Sequence, residues 1–200
     1  MAKEAQLRRL QARSAYEAGW SHLREGRTAV GLTSFQEAVT LDPEEPIYHN
    51  SLGLVYLDLS QLPQALEAFG KAIALDPSYA SAHLNLGVAL TQSGRWDEAV
   101  HEYRKALALP GHANLVLAHH NLGWAYYNQN RLREAEEAFT LALRLEPSMA
   151  SAHYHLGLVL LKAGRREEAR AAFSKARELA PESEFGQAAR EHLRALETQY

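Results

Sequence analysis

Two hundred residues, 46% of them apolar, suffice to bury the core of one domain or one repeat array. With 21 Lys and Arg against 24 Asp and Glu the formal charge is −3, so nucleic acid is not an expected partner; the basic residues cluster only mildly, at Lys3, Arg8, Arg9 and Arg13. Cysteine is absent, which excludes disulfides, thiolate zinc sites and cysteine nucleophiles, and apolar runs such as LGLVLL (156–161) fall far short of the roughly 20 residues of a membrane helix.

The opening stretch, MAKEAQLRRLQAR, is charged and amphipathic without an apolar h-region, so no secretory signal is read there. Residues 1–11 are expected to lengthen the first helix. From residue 12 the chain repeats itself. Gly19, Gly53, Gly87, Gly123 and Gly157 stand 34, 34, 36 and 34 residues apart. Sixteen residues after each comes an aromatic ring: Phe35, Phe69, Tyr103, Phe139 and Phe173. A small residue precedes each ring by four (Gly31, Ala65, Ala99, Ala135, Ala169) and another follows by three (Ala38, Ala72, Ala106, Ala142, Ala176). Pro43, Pro77, Pro147 and Pro181 close four units, and Pro110 closes the third one place early.

These spacings predict five units, at 12–45, 46–79, 80–115, 116–149 and 150–183, each a pair of antiparallel helices. Small residues would sit where the two helices cross, and the ring would plug the gap to the next unit. Gly26, Ser60, Gly94, Asn130 and Gly164 are residue types suited to the tight turn inside each unit. The third unit, through PGHANLVLAHHNLG (110–123), is two residues longer than the others. Residues 184–200 read as a capping helix, with Phe185, Ala189, His192, Leu193 and Leu196 facing the stack.

The pattern W-x2-L-G-x2-Y…A-x3-F…A…P over residues 12–183 resembles the tetratricopeptide repeat (TPR) family. The resemblance implies an all-α fold, a right-handed superhelical solenoid of helix-turn-helix units with a C-terminal capping helix. The first unit departs most from the family pattern, at Ala15, His22 and Gly31.

Within AHHNLGWAYY (118–127), His119, Leu122, Gly123 and Tyr126 share the face that packs against neighbouring helices. His120, Trp124 and Tyr127 share a different face, which in TPR proteins lines a concave groove. On that analogy the first unit offers Tyr16, Trp20 and Leu23 to the groove. The second offers Ile47, Asn50, Leu54 and Leu57, and the third Leu84, Val88 and Thr91. Leu117, His120, Trp124 and Tyr127 come from the fourth unit, and Tyr154, Leu158 and Leu161 from the fifth. So much apolar and aromatic surface implies a partner, because tryptophan and tyrosine are the usual anchors of interfaces. The expectation is a non-enzymatic, monomeric scaffold that binds a helix or an extended peptide of another protein. The alternative is an array that joins copies of itself.

The carboxylate clamp of some TPR co-chaperones needs lysine, asparagine and arginine where this chain has Tyr16, Trp20, Ser51, Ser81 and Asn85. Asn85 and Asn121 match the asparagine ladder of sugar-transferase arrays, but Ser51 and His155 break it. His49, His83, His119 and His153 form a second ladder, read as half-buried residues bonding locally. Rungs about 10 Å apart cannot share an ion that needs its nitrogens about 2.0–2.1 Å away. No HExxH, phosphate loop or nucleophile elbow occurs, and no catalytic residue, metal or cofactor is expected.

The lengthened third unit, the size and the repeat content also resemble the TPR lipoproteins of type IV pilus biogenesis, the pilotins. Those assist an outer-membrane secretin and are anchored through a lipidated N-terminal cysteine. The resemblance implies a secretin partner, a lipid anchor in a longer precursor, and a place on the periplasmic side of the outer membrane.

Overall fold

The repeat spacing translates directly into helices. A computed structural model describes residues 2–110 and 114–197, and over these the chain is all-α, with no strand. The helices are α1 (Ala2–Arg24), α2 (Thr28–Leu41), α3 (Pro46–Asp58), α4 (Leu62–Leu75), α5 (Ala80–Gln92) and α6 (Trp96–Ala108). They continue with α7 (Leu115–Asn128), α8 (Leu132–Leu145), α9 (Ala150–Lys162), α10 (Arg166–Leu179) and α11 (Glu184–Glu197). Residues 111–113, inside the expected insertion, and residues 198–200 of the expected cap lie outside the described residues, as does Met1. Two compact units result: one runs to Arg95 and contains α1 to α5, and the other takes up the chain from Trp96 and contains α7 to α11.

In the first unit α1 pairs with α2 and α3 with α4, while α3 also touches α5. Phe35 and Phe69 are fully buried at the crossings, which stabilises by about 1.5–3 kcal/mol for each ring. The crossing is close because glycine is there: a Cβ on Gly53 would stand 2.6 Å from the Phe69 ring. Gly31, where the other units have alanine, lies under Leu23, whose Cδ2 would be 3.0 Å from an added Cβ. At Gly31 the departure of the first unit is thus a local exchange of volume between two facing residues.

The second unit repeats the plan, pairing α7 with α8, α9 with α10, and α10 with α11. Phe139 and Phe173 are fully buried, and Gly157 meets Phe173 as Gly53 meets Phe69. Ala189, Leu193 and Leu196 of α11 are buried against Leu160 and Phe173, as the capping pattern predicts. The ring of His192 stacks on Phe173 at 4.8 Å.

Within each helix pair the turn residue has positive φ: Gly26, Ser60, Gly94, Asn130 and Gly164. At Gly164 the amide of Arg165 bonds Leu160 O at 2.9 Å and that of Gly164 bonds Leu161 O at 3.0 Å, the two bonds of a Schellman turn. The proline–histidine spacing also has a cause. Nε2–H of His49, His83 and His153 donates to the carbonyls of Pro43, Pro77 and Pro147 at 2.8, 3.1 and 2.9 Å. Each bond ties the first turn of one helix to the loop that enters it, so these histidines serve the loops.

Candidate interaction surfaces

The helices divide by charge. Across α3, α5, α7 and α9 the charged residues are Asp58 and Lys162 alone. By contrast α8 carries Arg133, Glu134, Glu136, Glu137 and Arg144, and α10 is similarly charged. Two of the N-terminal arginines are paired, Arg13 with Glu17 at 2.9 Å and Arg9 with Asp42 at 3.8 Å.

In the first unit Tyr16 and Trp20 are half-buried and meet Phe35 edge-on at 5.8 and 5.3 Å, and Tyr16 also meets Tyr48 at 5.1 Å. Leu23, Leu54, Leu57 and Val88 are half-buried, and Ile47 is exposed. Asn50 and Leu84 are not open: each is 5% exposed. The contact between α3 and α5 covers the edge on which Asn50 sits. Asn85 Nδ2 donates to Asn50 Oδ1 at 2.9 Å, and Asn50 Nδ2 lies 3.4 Å from the Tyr79 hydroxyl.

In the second unit Leu117, His120, Trp124, Tyr127, Tyr154, Leu158 and Leu161 are all half-buried. His120 Nε2 lies 3.0 Å from His155 Nδ1, and His120 Nδ1 lies 3.2 Å from Asn121 Oδ1. The asparagine oxygen can only accept, so His120 carries its proton on Nδ1 and its Nε2 accepts from His155 Nδ1–H. Burial pushes the His155 imidazole down to about 3, helped by the charge His120 would carry. Burial also lowers His120, against the opposing bond from Asn121. Both rings are therefore neutral, and aromatic rings enclose them. Trp124 lies 4.6 Å from His155 and stacks on Tyr127 at 5.4 Å. Phe139, Tyr154 and Phe185 meet His155 at 5.7, 5.4 and 5.4 Å. At the edge, the Lys162 ammonium sits 4.9 Å above the Tyr127 ring.

The sequence pattern puts His120, Trp124 and Tyr127 on one helix face; in the structure Trp124 stacks on Tyr127, and His120 and Trp124 both meet His155. Sequence reasoning missed His155 and Lys162. The signal for His155 was a spacing of 35, one more than the repeat, which also joins Asn50 to Asn85. Among the described residues no three potential metal ligands converge. An open depression of about 480 Å³ lies along α8, lined by Arg133, Glu136, Glu137, Thr140, Leu141 and Arg144. Its Glu136 is already held by Arg165 at 2.6 Å, so that depression is a charged helix surface and not an apolar one.

The tetratricopeptide repeat model matches residues 16–63, 51–113 and 120–184, most of the chain. The chain belongs to the tetratricopeptide repeat family. TPR proteins as a class are interaction scaffolds that bind peptides or proteins. No curated protein matches the chain. Among solved structures, MamA is 25% identical with a TM-score of 0.73, over 82% of this chain and 94% of that one. YrrB, described as a TPR protein with an unusual peptide-binding site, is 21% identical with a TM-score of 0.72, over 88% and 90%. PilW, described as a widely conserved type IV pilus biogenesis factor, is 20% identical with a TM-score of 0.81, over 94% and 91%. No helix of the described residues is long and apolar enough to cross a membrane.

Proposed function

We propose that this TPR protein is a non-enzymatic scaffold that holds an apolar segment of a partner protein against α7 and α9. The observation that carries the reading is the half-buried aromatic surface of Trp124, Tyr127 and Tyr154 on helices with almost no charge. Flat rings with two rotatable bonds supply contact area at little entropic cost, which is why they anchor interfaces. The Tyr16 and Trp20 surface of the first unit is a second stretch of the same chemistry.

A more specific reading is a pilotin-like factor that assists an outer-membrane secretin. Its support is the lengthened third unit together with near whole-length correspondence to PilW. In that role the chain would be a processed lipoprotein domain on the periplasmic side of the outer membrane.

The test is a photo-crosslinking residue at Trp124 in the native host, with a control at the exposed Glu137 of α8. A foreign protein captured from position 124 and not from 137 is the expected result, and a secretin among the captures supports the specific role. Capture of the chain's own copies, or equal capture from both positions, defeats the scaffold reading.

A further inference from the structure

We infer that the partner segment held by the second unit carries an acidic side chain, aspartate or glutamate, set against Lys162 within an otherwise apolar run. The inference rests on the reading that this surface binds a partner. α7 contains no charged residue and α9 contains one, Lys162, in its last turn. A lysine there is ordinarily explained by the helix dipole, which favours a cation at a helix C-terminus. That role does not require the ammonium to fold back over a ring. Lys162 does so, sitting 4.9 Å above Tyr127, which itself stacks on Trp124.

The neighbouring cations differ in being ion-paired, although Arg131 also lies 4.5 Å over a ring, that of Tyr126. Arg131 is held by Glu134 at 2.8 Å, and Arg165 by Glu136 and Glu168, each at 2.6 Å. Lys162 has no carboxylate within ion-pair distance among the described residues. Glu191 of α11 exerts its charge on Tyr154, as does Tyr127. An exposed ammonium fixed at the rim of an apolar surface selects a partner by charge complementarity. Beside it, a basic side chain is repelled and a neutral one leaves the ammonium unanswered. His120 and His155 are neutral and bonded to each other, so they offer the partner no competing charge.

The experiment is selection of random internal peptides, displayed between constant flanks, on the full chain and on two variants. On the wild type, the enriched peptides should hold Asp or Glu at one place in an apolar or aromatic run. A representative peptide should bind about tenfold more weakly when its acid becomes Gln or when the protein carries Lys162→Glu, and more weakly as salt rises. Lys162→Glu should itself enrich Lys or Arg at that place. Enrichment without a preferred charge, or the same peptides chosen by wild type and Lys162→Glu, overturns the inference. Trp124→Ala separates the two claims. Peptides lost on Trp124→Ala but indifferent to Lys162→Glu leave the binding surface standing and remove only the acid. Peptides indifferent to Trp124→Ala, or no enrichment at all, defeat both.

Discussion

Asn50 with Asn85 in the first unit and His120 with His155 in the second occupy the same register, two residues 35 apart on the first helices of successive repeats. In one the contact is an amide pair at 2.9 Å with a tyrosine hydroxyl beyond it; in the other it is an imidazole pair at 3.0 Å enclosed by aromatic rings. The backbone asks only that two short polar side chains satisfy each other there. What else they do is left to their neighbours: the amides make a small polar network, and the imidazoles double as apolar ring surface. The same repeat thus builds a polar seam in one place and the floor of an aromatic patch in another.

Truncation should break the two seams unequally. His155→Ala removes a ring that touches Trp124, Phe139, Tyr154 and Phe185 and leaves His120 Nε2 without its donor. The expected loss is about 3 kcal/mol, from cavity and unmet hydrogen bond together. Asn85→Ala leaves the buried Asn50 Oδ1 without a donor but opens little apolar space, and should cost about 1–2 kcal/mol. Urea unfolding of both variants measures the order; equal losses would mean that the rings around His155 contribute nothing beyond the hydrogen bond.

Much of this was legible in the sequence, and the exceptions have a common cause. Gly53 and Gly157, sixteen residues before Phe69 and Phe173, could be read because the ring packs on bare backbone and tolerates no side chain. The turn positions could be read because positive φ restricts the residue types allowed there. His155 was missed because face assignment follows one helix at a time, whereas the first helices of successive repeats meet with a one-residue offset. For the same reason Asn50 and Leu84 were assigned to the open face, although contact between helices buries Asn50, and Leu84 is equally covered. Lys162 was missed because a lysine in a last turn has an ordinary explanation until the ring beneath it is seen.

Acid should act on the imidazole seam and spare the amide one. His155 is held down to about 3 in the folded chain, against 6.5 for an ordinary histidine. Between those values the unfolded chain binds the extra proton, so the stability gained from keeping His155 neutral is present above pH 6.5 and lost as pH falls towards 3. The slope approaches about 1.4 kcal/mol for each pH unit when one proton separates the states. Thermal unfolding from pH 7 to 4 should show a falling midpoint that flattens in His155→Asn, whereas Asn85→Ala should fall in parallel with the wild type. An unchanged slope in His155→Asn would place the acid sensitivity elsewhere.

The smallest effect expected is at the turns, where each unit holds one residue that pays for a conformation glycine adopts freely. Ser60 has φ 57° in the first unit and Asn130 has φ 62° in the second, at positions where other repeats carry Gly26, Gly94 and Gly164. Serine is poorly suited to the left-handed region, while asparagine tolerates it through its short polar side chain. Ser60→Gly should therefore stabilise by about 0.5–1 kcal/mol, and Asn130→Gly by less, since glycine also raises the freedom of the unfolded chain. Both turns close the same pair of backbone bonds, to Tyr56 and Leu57 in one and to Tyr126 and Tyr127 in the other, so the loop geometry is held constant between them. A larger gain at Asn130 than at Ser60, in matched urea titrations, would show that the side chain and not the backbone sets the strain at these turns.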